Sequence, residues 1–456
     1  MQVQHLFYST DADRSTLFRR ITPTQPQREQ QQERWQDLRD YLVDDLGEAT
    51  GYRISSWLQG SYKFGTQIRP ARKGDEFDID LGIYFNWAGG PDTTGEDPTD
   101  LKDRVQRSIR RYAEEAQDDV KEVVEPAKER CSRIRFSGDF HIDVPTYHLD
   151  PDRDARDLAT ETLGWEVSDP KQLWVWFQNQ FAEEDTAQVR RLIRYVKMWA
   201  ALKLPQRPAS VLLTVLAAQA YMPLRADQVT TDDLGLRNLA DAILQRLTWQ
   251  TAVPNPVNPT ENLNRLSPGD HAAFLEGLRR LIHIADAALA AHTEQETALI
   301  WTEAFDAFFP APVAAPVGNA LVPVAFDPQV EVQARPGNSQ AVFAGTNRIG
   351  PIPKDCTITF TLINANHLPA GAQVRWFVRN EGEEAELTND LGHVAGQGTF
   401  ATEHSAYQGT HHMDVVIISA LGAVLGFRRV PVQITGIPMP RRNTSRPGYR
   451  RFAAKR

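Results

Sequence analysis

"LQGSYKFGTQIRPARKGDEFDIDLGIYF", residues 58–85, decides the fold. The stretch passes from a β-like run through a turn at Gly60-Ser61, then a polar loop, into "FDIDLGIYF" (77–85), whose apolar and aromatic residues read as a buried strand. Asp78 and Asp80 interrupt that reading. Side chains two apart in a strand share a face, so both carboxylates project together while Phe77, Ile79 and Leu81 occupy the other side. Two ionised carboxylates so placed raise each other's pKa, and desolvation without a partner is costly. Either the strand end is solvated, or a divalent cation offsets the repulsion.

Two other features favour the cation. Gly60 allows backbone N–H groups to approach a phosphate closely and Ser61 adds a hydroxyl donor. "FHIDVPTYH" (140–148) places a third acid, Asp143, between Ile142 and Val144 in a strand of the same kind. A preceding strand candidate, "CSRIRFS" (131–137), joins it through Gly138-Asp139 as a hairpin. Three acids on neighbouring strands beside a phosphate turn form the oxygen-rich site that magnesium prefers, and together they specify nucleotidyl transfer.

The ordered set "GSYKFGT…FDID…FHIDVP" resembles the DNA polymerase beta-like nucleotidyltransferases, and within them the bacterial cGAS/DncV-like enzymes (CD-NTases). The resemblance spans about residues 30–310. It implies that Gly60 and Ser61 bind a donor triphosphate and that Asp78, Asp80 and Asp143 are catalytic and hold two Mg²⁺, with Mn²⁺ as a substitute. It further implies that Lys197 in "RLIRYVKMW" and Ser210 in "PASVLLTVL" face the triphosphate. Read from the residues alone, Lys197 equally suits a solvent-facing helix position, and Ser210 equally suits a helix N-cap. Arg69, Arg72 and Lys73 read as a solvated loop, with phosphate contact as the alternative. Asp75 and Glu76 fall outside the Asp-x-Asp pair and stay out of the metal set.

Around this motif the chain reads as α+β. A helix at 27–49 places Trp35, Leu38, Leu42 and Leu46 on one stripe, and a helical stretch runs from about 169 to 309. The expected divisions are a palm-like core at 1–165, a helical domain at 166–309 completing the nucleotide cleft, and a Pro-rich linker at 310–324. A β-sandwich at 325–437 and a basic tail at 438–456 complete the chain. The sandwich region resembles the adenylyl/guanylyl and SMODS C-terminal (AGS-C) sensor domain, chiefly at Trp376, Asn380, Gly382, Glu384, Tyr407, Gly409 and His411. The resemblance implies that it senses a ligand or partner, such as a nucleotide or nucleic acid. Its histidines, His393, His404, His411 and His412, fit no ligand spacing and read as surface or turn residues; Trp376 and Phe377 read as core.

A net charge of −9 argues against a surface built to coat duplex nucleic acid. The segment 441–456 nevertheless holds seven Arg/Lys and no acid, which suits a disordered end, a phosphate-binding arm, or an arm presenting Tyr449 as a primer hydroxyl. The two cysteines, Cys131 and Cys356, read as free thiols, and the absence of a membrane-length apolar run makes a cytoplasmic location the expectation.

The expected function is a Mg-dependent, template-independent nucleotidyltransferase that joins nucleoside triphosphates, NTP or dNTP, into a cyclic or short linear oligonucleotide signal for bacterial antiphage defence. A separate effector, often at the membrane, would receive that signal. Alternatives are a free or protein-primed linear oligodeoxynucleotide synthase, an RNA- or protein-modifying transferase of a toxin–antitoxin pair, and a silent binding module, against which the intact acid triad speaks.

Overall fold

The structure is a computed structural model that describes residues 2–436 except 13, 73, 117–118, 225, 311–325, 338–340 and 421–423. Lys73, residues 311–324 of the expected linker, Tyr449 and the basic tail therefore lie outside the described residues. The chain divides into two compact units, one built from Met1–Ala314 with the short stretch Leu387–Asn389, the other from the remaining C-terminal residues.

In the first unit two short helices, α1 (Gln4–Phe7) and α2 (Leu17–Ile21), precede α3 (Gln25–Thr50). A capping box starts α3: the Gln27 N–H donates to Thr24 Oγ1, and the Thr24 N–H donates to Gln27 Oε1. Gly51, in the left-handed region at φ 73°, ends it. As the spacing predicts, Leu38, Leu42 and Leu46 are buried.

The mixed sheet follows, with β1 (Arg53–Gln59), α4 (Gly60–Phe64), β2 (Phe77–Asn86), α5 (Pro98–Glu115), β3 (Val120–Val123) and β4 (Ser132–Phe136). It continues through β5 (Phe140–Val144), β6 (Thr146–Asp150), β7 (Ala155–Ala159) and β8 (Trp165–Val167). The continuous strand expected at 140–148 is divided at Pro145, which has no N–H to give a ladder. Its pairing survives: Phe77–Asp80 lie parallel to Phe140–Asp143, and Ile83–Asn86 lie parallel to Thr146–Leu149 in the same register. The Ile83 N–H bridges the gap by donating to the Pro145 carbonyl at 3.0 Å. Along the other edge of β2, β1 runs antiparallel and sets Gln59 opposite Asp80. The hairpin from β4 to β5 turns at Gly138 (φ 92°) and Asp139 (φ 56°).

Phe77, Ile79 and Leu81 enter a core with Leu38, Leu42 and Leu46 of α3 and Leu101, Val105 and Ile109 of α5. One face of β2 is thus covered by helices, and the acids are left on the other. The helical stretch comprises α6 (Pro170–Gln178), α7 (Glu183–Lys203), α8 (Ser210–Tyr221), α9 (Asp232–Trp249), α10 (Pro268–Ala290) and α11 (Glu294–Phe305). It also holds a small hairpin that helical periodicity did not disclose, β9 (Pro254–Asn255) with β10 (Asn258–Asn262). Among the described residues, no helix is long and apolar enough to cross a membrane.

The second unit contains a four-stranded and a five-stranded sheet. Val332, Phe360, Trp376, Val415 and Val430 fill its core, so Trp376 is core as expected. Residues 394–397 form a short strand against residues 375–377. His411 is buried rather than at the surface: its Nε2–H donates to the Tyr407 carbonyl at 2.9 Å, and Nδ1 accepts the Glu381 N–H. His393 and His404 are exposed and His412 is half-buried. Cys131 and Cys356 are free thiols.

Candidate active site

Strand register assembles the site. Asp78 stands beside His141, and Asp80 stands beside Asp143, so all four side chains project from one face of β2 and β5. Gly60, at φ 59°, carries the chain across Asp80; a Cβ at this position would stand 1.8 Å from Asp80 Oδ2. Backbone conformation and the close approach each require glycine here.

Charge is balanced unevenly across the face. Arg133 grips Asp143 through both oxygens, Nε to Oδ1 at 2.5 Å and Nη2 to Oδ2 at 2.7 Å, and Lys128 stands 3.7 Å from the same carboxylate. Burial pushes the Asp80 carboxyl well above its ordinary range, and the neighbouring charges of Asp78 and Asp143 add to the effect. Burial acts the same way on Asp78, but His141, Arg133 and Lys128 outweigh it and hold this carboxyl below its ordinary value. His141 lies between two acids, with Nδ1 2.9 Å from Glu76 Oε2 and Nε2 2.9 Å from Asp78 Oδ1. Ligand atoms of Asp78, His141 and Asp143 all fall within 4.8 Å of one another. An acid cluster whose charges raise the pKa of one of its members, with oxygen donors and an imidazole so close, fits a divalent cation.

Three cavities meet at these acids. One, of about 300 Å³, is lined by Ser61, Thr66, Arg69, Asp78, Lys197, Arg207 and Ser210. Its wall sets Arg69, Lys197 and Arg207 among Asp75, Glu76 and Asp78; burial, then repulsion from Arg207 and Arg194, depresses Lys197 well below its usual value, and burial lowers Arg207 from its ordinary value and Arg194, behind the wall, to about 10. The three cations of this wall can meet a polyanion. A second, of about 330 Å³, lies between Asp78 and Asp80 on one side and Phe64, Leu173, Val211 and Val215 on the other. The third, of about 370 Å³, extends from Asp80 and Asp143 past Arg130, Tyr147 and Leu263.

Gly60, Ser61, Asp78, Asp80, Asp143, Lys197 and Ser210 thus surround one region. Lys197 does not face solvent, because α7 turns it inward, 1% exposed, and its Nζ donates to Thr66 Oγ1 at 2.9 Å. Ser210 is not an N-cap; Ala209 holds that position and Ser210 opens α8. Arg69 is no part of a solvated loop: it is 1% exposed and lines the cationic cavity, while Arg72 is exposed. Sequence reasoning missed His141, Arg133, Arg194 and Arg207. For His141 a signal existed, since it precedes Asp143 by two residues and shares its face.

Residues 54–147 match the family model for the nucleotidyltransferase domain of cyclic GMP-AMP synthase DncV-like proteins, and residues 316–435 match the adenylyl/guanylyl and SMODS C-terminal sensor domain. The chain is a nucleotidyltransferase that carries a DncV-like catalytic domain and an AGS-C sensor domain. A cyclic GMP-AMP synthase of Escherichia albertii is 28% identical across 97% of this chain and 99% of its own length. A c-di-GMP synthase of Roseivirga ehrenbergii is 27% identical over 50% of this chain and 65% of its own. The fold of the DncV-like nucleotidyltransferase recurs in the 3'-deoxy GTP-bound DncV of Escherichia coli, at TM-score 0.58 and 20% identity over 66% of this chain and 96% of that one. Vibrio cholerae DncV in complex with the linear intermediate pppA(3',5')pG gives 0.57 and 18% over 67% and 96%.

Proposed function

We propose that this nucleotidyltransferase condenses two nucleoside triphosphates, without a template, into a cyclic dinucleotide or short oligonucleotide signal. The observation that carries this reading is the pair of cavities, about 330 and 370 Å³, that share Asp80 and would seat one nucleotide on each side of the acid cluster. The names of the curated relatives, cyclic GMP-AMP and c-di-GMP synthases, support a cyclic product. In this reading residues 1–165 form the palm-like core and 166–309 close the cleft. The sensor domain at 325–437 supports a signalling role; cytoplasmic location, a separate effector and antiphage defence rest on the family resemblance.

Asp78, Asp80 and Asp143 would hold the divalent cations, Mg²⁺ in the first instance, which supply charge neutralisation at the triphosphate and acidify the attacking hydroxyl. The chain's own groups do the rest. Lys197 and Arg207, with Ser61 and Ser210, hold the donor triphosphate in the cationic cavity, so that its α-phosphate reaches Asp78 and Asp80. A ribose hydroxyl from the third cavity bonds to the α-phosphorus as its proton passes to Asp143, and pyrophosphate departs on the opposite side. Asp143 orients that hydroxyl, and Arg133 must give up at least one of its two bonds to Asp143 for this. A linear, Tyr449-primed product is the second reading, prompted by the basic composition of 441–456.

Mass analysis of the products formed from the four NTPs and four dNTPs with Mg²⁺ separates these readings. A phosphatase-resistant dinucleotide is expected; a product that phosphatase attacks, or a nucleotide adduct on the protein, would overturn the cyclic assignment.

A further inference from the structure

His141 is the one member of the acid face whose place the function above does not use. A neutral imidazole carries one N–H and one lone pair. Glu76 is oriented by Arg135, whose Nε lies 3.2 Å from the same Oε2 that meets His141 Nδ1, and Arg135 is itself held by Glu122 at 2.7 Å. With Nδ1 engaged by that carboxylate, Nε2 is directed at Asp78 Oδ1, 2.9 Å away. A carboxylate fixing one ring nitrogen while the other points at an oxygen donor is the arrangement that surrounds metal-bound histidine. Neighbouring ligand atoms around an octahedral ion, with bonds of about 2.1 Å, are also about 3 Å apart. His141 is 7% exposed, so its ring is held in place rather than swinging through solvent.

We propose that His141 Nε2 is a metal ligand, joining Asp78 and Asp143 in a mixed nitrogen and oxygen site that binds Mn²⁺ more tightly than Mg²⁺. Glu76 and Arg135 are then positioning residues that fix the ring. The inference rests on the acid cluster being a divalent-cation site, as proposed above. Its chemistry follows from donor type: Mg²⁺ is a hard ion that favours oxygen and retains water, whereas imidazole suits transition metals.

Mn²⁺ alone, added to the full-length protein without nucleotide, tests this by electron paramagnetic resonance. Loss of the free Mn²⁺ signal on titration and ¹⁴N modulation in the echo envelope of the bound ion are expected, together with Mn²⁺ affinity at least tenfold above Mg²⁺ by competition. His141→Asn should remove the modulation and most of the Mn²⁺ preference. Glu76→Gln, which leaves the ring in place, should weaken Mn²⁺ binding by about 10- to 100-fold and decides the matter if the first variant does not fold. Bound Mn²⁺ without ¹⁴N modulation, at equal affinity in wild type and Glu76→Gln, overturns the ligand role and leaves the acid cluster standing. No Mn²⁺ bound at all overturns both.

Discussion

At the scale of single residues the site depends on one missing Cβ and one buried charge. Gly60→Ala places a methyl against the Asp80 carboxylate and forces a strained φ, so turnover should fall by at least a hundredfold in a pyrophosphate-release assay, with a stability loss of roughly 1–3 kcal/mol. Lys197 is held well below its usual value of 10.5, first by burial and then by Arg207 and Arg194. The folded protein then binds fewer protons at this position than the unfolded chain, so between the depressed folded value and 10.5 stability rises with pH, by at most about 1.4 kcal/mol per unit. Lys197→Met should remove this rise from melting curves of the nucleotide-free enzyme and abolish its stabilisation by NTPs; an unchanged pH profile would place the lysine outside the cationic wall. That Asp78 and Asp80 share one face was legible in the sequence because strand alternation needs only local spacing; that Asp143 lies beside them depends on the pairing of β2 with β5. Whether Lys197 faced inward was not legible, since that depends on how α7 is rotated against the loop carrying Thr66.

At the scale of elements, the hairpin from β4 to β5 and helix α7 set the site's working parts. The turn at Gly138 and Asp139 fixes a register in which Arg133 lies opposite Asp143, so the bidentate ion pair follows from turn chemistry that the sequence displays. Arg133→Gln should cost the cation-free protein roughly 1–3 kcal/mol, because Asp143 loses its main partner in a largely buried setting. Saturating Mg²⁺ should narrow that gap, as seen by thermal melting with and without the ion. From α7, Arg190 Nε donates to the Phe64 carbonyl at 3.1 Å and Arg194 Nε to the Gln67 carbonyl at 3.2 Å, which ties the loop after Gly60-Ser61 to the helix. Arg194→Met should raise KM for the donor nucleotide about tenfold with a smaller change in kcat. These tethers join residues more than 120 positions apart and carry no local pattern, which is why sequence reasoning passed over both arginines.

At the scale of the whole molecule, a chain of net charge −9 concentrates Arg194, Lys197 and Arg207 beside three acids. Attraction of a triphosphate into such a pocket is screened by salt, so kcat/KM should fall several-fold as ionic strength rises from about 0.05 to 0.5 M. Helical spacing gives way to alternation near residue 320, and the chain's two compact units divide in the same region. The buried role of His411 was not legible, because histidine at a strand end serves a surface and a hydrogen-bonded turn equally well. The central claim is that nucleotidyl transfer takes place at the Asp78, Asp80 and Asp143 cluster. Pyrophosphate release from NTPs with Mg²⁺, compared between wild type and Asp78→Asn/Asp80→Asn with folding checked by circular dichroism, tests it most directly. Release by wild type and none above background in the folded double variant is the expected result; undiminished release by that variant would contradict it.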